Sequence, residues 1–178
     1  MLPQHLEACF PKLKADGATK TSEATNQYNC IAWSAACDIR HWWEPEKLEP
    51  WYYWPPDLPP NDYAFENFIR LFQNIGYKKH SNPTFEIFYE KVALYAIYGS
   101  IEPNKWGFAH VCHQLHSGAW SSKLGPAEDI QHNSVESLEG DASEYGHVRI
   151  ILKRRCNLAG ILKRAFFKFI SNRWNPAP

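Results

Sequence analysis

Hydrophobic and polar positions change their period once along this chain, near Gly76. Upstream of it, Phe65, Phe68, Ile69, Phe72 and Ile75 recur at helical spacing and fall on one face. Asn61 or Asp62 stands where that helix would be capped, and Gly76 where it would end. An Ala-rich segment without Gly or Pro predicts a second helix over about Ile31 to Arg40. A short helix or arm around H-L-E-A-C-F, followed by a polar loop, accounts for residues 1 to 26.

Downstream, the pattern turns β-branched and aromatic. F-E-I-F-Y-E-K-V-A-L-Y-A-I-Y predicts a strand closed by Gly99. G-F-A-H-V-C-H-Q-L and A-W-S-S-K-L-G predict a hairpin turning at Ser117-Gly118. A loop P-A-E-D-I-Q-H and a helical turn V-E-S-L-E-G then lead to a last strand, Y-G-H-V-R-I-I-L-K-R. Helices first and an antiparallel sheet after them make an α+β domain.

Between the two predicted helices lies H-W-W-E-P-E-K-L-E-P-W-Y-Y-W-P-P-D-L-P-P. Six prolines oppose a regular element there and six aromatics oppose a plain linker, so an ordered surface loop is expected. It would seal the hydrophobic face of the helix that carries Phe65 to Ile75, or form an aromatic groove for a proline-rich peptide or a sugar.

At 178 residues the chain suits one domain, and 44% apolar with 21% charged residues excludes a disordered chain. Five cysteines, none in a CxxC pair, do not form a disulfide or zinc framework. The first residues lack the pattern of a signal peptide and no apolar run spans a bilayer, so a cytoplasmic, reduced protein is expected.

The net charge of zero is a cancellation. All 19 acidic residues lie at or before Glu144, whereas residues 153 to 178 hold seven basic ones, so a body of −7 carries a tail of +7. In that tail Leu158, Ile161, Leu162, Ala165, Phe166, Phe169 and Ile170 form a stripe at helical spacing. The expected division is a domain over residues 1–154 and a basic amphipathic helix over 155–178. Through residues 156–173 such a helix would meet an anionic membrane surface or a partner protein, or pack on the acidic body. Nucleic acid is not an expected partner, because the positive charge is confined to one short segment.

The candidate chemistry starts at Y-N-C-I-A-W. Cys30 stands at a predicted helix start, where unpaired N–H groups and the helix dipole favour the thiolate. Cys37 lies two turns along and gains nothing from that end. A buried, inert cysteine is the competing reading. Period-two alternation puts His110, Cys112 and Gln114 on one face of the hairpin strand and Val111, His113 and Leu115 on the other. His110, flanked by Phe108 and Val111, belongs to the covered part of the sheet, while His113 and His116 approach the turn and solvent. A structural, hydrogen-bonded histidine is the alternative for His110. Lys123, in S-S-K-L-G, is either a point charge for a substrate carboxylate or phosphate, or a lysine guarding a sheet edge. A metal site from His110, Cys112, His113, His116 and His132 fits no familiar zinc spacing.

A cysteine at the start of a central helix, a histidine on a later hairpin strand and a polar group beyond it resemble the papain-like cysteine peptidases and amidases, those of the NlpC type more than papain itself. More narrowly, Y-N-C-I-A-W, the W-W-x-P and Y-W-P loop, E-K-V-A-L-Y-A, H-V-x-x-Q-L-x-S-G-x-W-S-S-K-L-G and D-I-Q-H resemble a family of mostly bacterial, uncharacterised domains, over about Tyr28 to Arg154. The resemblance implies Cys30 as nucleophile and His110 as general base. The residue that orients the imidazole would be His132, with Ser122 and Asp129 as alternatives. Gln27 or Asn29 would assist an oxyanion hole beside the Cys30 amide. Papain's N-S-W-G motif and the glycines around its cysteine are absent. The implied activity is hydrolysis of an amide, peptide or isopeptide bond through an acyl-enzyme, with no cofactor or metal. The alternative is an inactive papain-like domain that binds a protein or peptide.

Overall fold

The computed structural model describes residues 2–36, 41–43, 52–59, 62–141 and 144–156. Cys37, the centre of the proline-rich loop and the amphipathic C-terminal segment lie outside the described residues.

A seven-stranded antiparallel sheet is built from β1 (Thr19–Lys20), β4 (Lys78–His80), β5 (Tyr89–Tyr98), β6 (Trp106–Gln114), β7 (Trp120–Lys123), β8 (Asp129–His132) and β9 (His147–Arg155). The strands lie in the order β1-β8-β7-β6-β5-β9-β4. Helices α1 (Gln4–Cys9) and α2 (Lys12–Asp16) and a 3-10 turn (Val135–Leu138) cover one face, and α3 (Cys30–Ser34) and α4 (Phe65–Asn74) the other. The α+β class expected from the sequence is what the chain forms.

The central strand β5 explains its own composition. Ala93 and Tyr95 enter the core under α1 and α2, while Val92, Leu94 and Ala96 enter the core under α4. A strand buried on both faces reads as a nearly unbroken apolar run. The strand starts later than expected, at Tyr89. Residues 83–88 instead form a loop, with Phe88 at φ 66° and Phe85, Ile87 and Phe88 exposed. Buried Lys91 holds this loop by donating to the carbonyls of Asn82 and Thr84 and pairing with Glu86. Glu86 also takes Lys153 at 2.8 Å, and Arg154 pairs with Glu90 at 2.6 Å. Two of the tail's seven basic residues are thus committed within the sheet.

Helix α4 presents the face expected of it, with Phe65, Phe68, Ile69, Phe72 and also Leu71 buried. Its cap differs: Asp62 accepts the N–H of Ala64 from outside the helix, and no side chain caps the first turn. Phe68 stacks on Phe108 at 3.9 Å and meets Trp43 and Trp54, each at 5.6 Å. The described parts of the aromatic loop therefore seal α4. They also pair, since β2 (His41–Trp42) and β3 (Tyr52–Tyr53) form a small parallel ladder that the prolines had argued against.

Three further expectations change. Helix α3 ends at Ser34 rather than Arg40, because Ala36 turns into the left-handed region at φ 64°. P-A-E-D-I-Q-H is not a loop: Asp129–His132 is strand β8, paired with both β7 and β1. Its four residues are too few, and too polar, to show a period. Lys123 is not an edge lysine, for β7 lies between β6 and β8 and the residue is fully buried.

Candidate functional site

Asn29 shapes the start of α3. Its Oδ1 accepts the N–H of Ala32 at 3.0 Å, a helix N-cap, and that of Trp42 at 3.3 Å. Its Nδ2 donates to the Trp42 carbonyl at 3.0 Å. The side chain expected to assist an oxyanion hole is thus used to cap the helix and pin the aromatic loop. Gln27 is exposed, and the described contact there is its N–H to Thr25 Oγ1.

Cys30 is the first residue of α3. The helix sits where the sheet opens: β6 and β7 are paired at His113–Ser121 and Gln114–Trp120, and the ladder stops there. Val111, two residues back on β6, turns its polar groups to the helix instead. Its carbonyl accepts from Ser34 Oγ at 3.2 Å, and its N–H faces the Cys30 sulfur. Burial pushes the Cys30 thiol up to about 11, against the N–H groups of Val111, Ile31 and Cys30 and the Lys123 charge, which favour the thiolate. The helix start was expected to hold a thiolate; a five-residue helix has too few aligned peptides to outweigh desolvation.

His110, next to Val111, points to the opposite face. It is 1% exposed, with its ring stacked on Tyr145 at 4.1 Å and 8°. Burial, then the neighbouring His132, lower its pKa to about 3. The Tyr145 phenol is raised by burial and then by Cys30. Cys30 and His110 make no hydrogen bond to each other among the described residues.

Ser122 and His132 join His110 in a chain. Ser122 Oγ lies 3.2 Å from His110 Nε2 and 2.9 Å from His132 Nε2. His132 Nδ1 lies 2.7 Å from the Ser134 carbonyl, which only accepts, so Nδ1 carries the proton. Burial lowers the His132 pKa, keeping it neutral, and its Nε2 is then an acceptor. Ser122 must donate to it and accept from His110 Nε2–H. The network thus assigns His110 the tautomer with a free lone pair on Nδ1. Ser122 and His132, weighed as alternatives, act in series. Asp129 belongs elsewhere: with Tyr28 Oη at 2.6 Å and Lys123 Nζ at 3.8 Å it occupies the α3 face.

His113 packs edge-on against Trp33 rather than facing open solvent, and His116 is exposed. Among the described residues, no group of three or more His, Cys, Asp and Glu is placed to hold a metal ion. No helix among them is long and apolar enough to cross a membrane. A cavity of about 230 Å³, lined in part by Phe85, Gln114, Trp120 and Val135, includes neither Cys30 nor His110. Sequence reasoning missed Tyr145 and Tyr28. Tyr28, two residues before Cys30, was open to notice; Tyr145 is brought in by the return of β9.

Residues 19–153 match a family described as a domain of unknown function (DUF7689). No curated protein matches the chain. No solved structure matches it either.

Proposed function

We propose that this chain, which belongs to the DUF7689 family, is a cysteine hydrolase with a papain-like site, cleaving an amide, peptide or isopeptide bond. The observation that carries the reading is the hydrogen-bond chain from His110 through Ser122 and His132 to the Ser134 carbonyl, which leaves His110 Nδ1 as a base next to Val111, the strand residue that faces Cys30. The Cys30 sulfur meets the Val111 N–H where β6 and β7 part. Across that gap His110 Nδ1 takes the thiol proton as the sulfur attacks the substrate carbonyl. The C–N bond then breaks, the proton passes to the leaving amine, and a thioester on Cys30 remains. Water, deprotonated by the same nitrogen, releases the acid and restores the thiol. The pair rests neutral, since the thiol is raised to about 11 and the imidazole lowered to about 3. Proton transfer therefore accompanies attack instead of preceding it.

A p-nitrophenyl ester tests this. Acyl transfer to Cys30, located by mass spectrometry of the peptides, is expected to outpace transfer to Cys156 and to disappear in His110→Ala. Equal acylation of the two cysteines hands the domain to the second reading, an inactive papain-like module that binds a protein or peptide. That reading is favoured by the half-buried thiol, whose pKa is raised to about 11, and by a cavity that opens elsewhere.

A further inference from the structure

Lys123 is a buried cation that the acyl-transfer chemistry above leaves unused. Its side chain is fully buried, on the face of β7 that meets α3. Two residues before it, Ser121 Oγ accepts from Trp33 Nε1 of α3 at 3.0 Å. Lys123 Nζ donates to the Ala127 carbonyl, lies 3.8 Å from Asp129 Oδ1 and sits 5.4 Å from the centre of the Tyr28 ring. Tyr28 in turn stacks on Trp33 at 5.5 Å and donates to Asp129 Oδ2. Tyr28 and Trp33 flank Cys30 in sequence, so the lysine is roofed by the segment that carries the thiol. Ser121 is the last β7 residue paired with β6, so Lys123 lies just past the end of that ladder, where Val111 turns its N–H to the sulfur.

A buried ammonium is costly unless it serves a partner charge. Asp129 supplies one, yet at 3.8 Å the contact is loose, and the ion pair lies on the same face as the thiol. We propose that Lys123 is a positioning charge for Cys30: its ammonium stabilises the negative charge that develops on the sulfur, and Asp129 sets how much of that field Cys30 receives. This supplies what a one-turn helix cannot. The other titratable groups that act on the two are Tyr28, whose ring lies over Lys123, Glu128, which acts on Lys123, and Tyr145, which feels Cys30. The direction agrees, since Lys123 draws the thiol down against burial.

The inference rests on Cys30 being the reacting group, and its test reads the thiol, not hydrolysis. Iodoacetamide labelling of Cys30 is followed by peptide mass spectrometry across pH 7 to 10 in the full chain, with Cys156 as internal reference. Lys123→Gln is expected to slow labelling on the order of tenfold, one pKa unit, and Lys123→Arg to restore most of it. Asp129→Asn is expected to speed it at pH 7, because the ammonium loses its counter-charge. That gain is expected to be lost toward pH 10, because burial lowers the Lys123 pKa and Asp129 no longer raises it. Opposite signs at two neighbouring residues are what a purely structural role would not produce. Should Lys123→Gln fail to fold, Asp129→Asn at pH 7 decides: faster labelling supports the proposal, and unchanged or slower labelling overturns it. Opposite signs without any ester acylation would keep the lysine's role and remove the hydrolase; acylation with no response to either change would do the reverse.

Discussion

His110 and His132 share one hydroxyl, that of Ser122, at 3.2 and 2.9 Å from their Nε2 atoms. Because a hydroxyl has one proton to give, the two rings cannot both present a bare nitrogen to it: His110 Nε2 carries a proton and His132 Nε2 a lone pair. Replacing Ser122 by Ala leaves two buried ring nitrogens without partners and releases the tautomer of His110. We expect a loss of about 1–3 kcal/mol in urea unfolding and a fall in Cys30 acylation of about 10²–10⁴-fold. A variant that unfolds earlier but acylates Cys30 at the normal rate would show the chain to be structural only.

A resting neutral pair also has a kinetic signature. Single-turnover acylation of Cys30 should show a normal solvent deuterium isotope effect, as the proton moves with the attack. An effect of unity or below would mean a thiolate formed in advance, and the neutral resting state would be wrong.

Acid should destabilise the fold through the same ring. His110 is lowered from 6.5 to about 3, chiefly by burial, so between those values the unfolded chain binds the extra proton. Its contribution is complete above about pH 6.5 and is lost as pH falls toward 3, at up to ~1.4 kcal/mol per pH unit. Urea midpoints at pH 7, 5.5 and 4 should fall along that slope in the wild type and more gently in His110→Gln. Parallel curves would place the acid sensitivity in other groups.

Asn29 joins the cap of α3 to the aromatic loop through Trp42. Asn29→Ala should cost about 1–2 kcal/mol. Asn29→Asp keeps the cap and loses the donor to Trp42, so it should fall between the two. A loss in Asn29→Asp as large as in Asn29→Ala would mean that the Trp42 link, not the cap, holds the segment.

Phe68, buried between Phe108, Trp43 and Trp54, anchors that loop to α4. Truncation to Ala should cost about 3–5 kcal/mol in denaturant unfolding. A cost below about 1 kcal/mol would show that the aromatics repack around the space.

Much of this was legible beforehand, and what was not has identifiable causes. The face of α4 and the inward turn of His110 follow from periods of 3.6 and 2 repeated over enough residues to be counted. Strand β8 carries four residues, one of them a buried aspartate that looks like a loop residue until Tyr28 and Lys123 arrive from elsewhere. Ala36 gives no sign of φ 64°, a conformation imposed by packing and not by alanine's own preference. Cys30 and Ser122 were found by residue type, but the order Ser134–His132–Ser122–His110 depends on the register of three strands. Lys123 was weighed as an edge lysine because one strand's sequence does not reveal what lies on either side of it.

The β6–β7 hairpin stops zipping two rungs from its turn, and Val111 is left to bond across a gap. A sheet that gives up a rung makes a socket: amide and carbonyl that would have bound a neighbouring strand are offered to whatever is wedged in. Here the wedge bears the thiol, so sulfur chemistry and sheet closure compete for the same backbone groups. Any change that let the two strands zip to the end would make a tidier sheet and evict the cysteine.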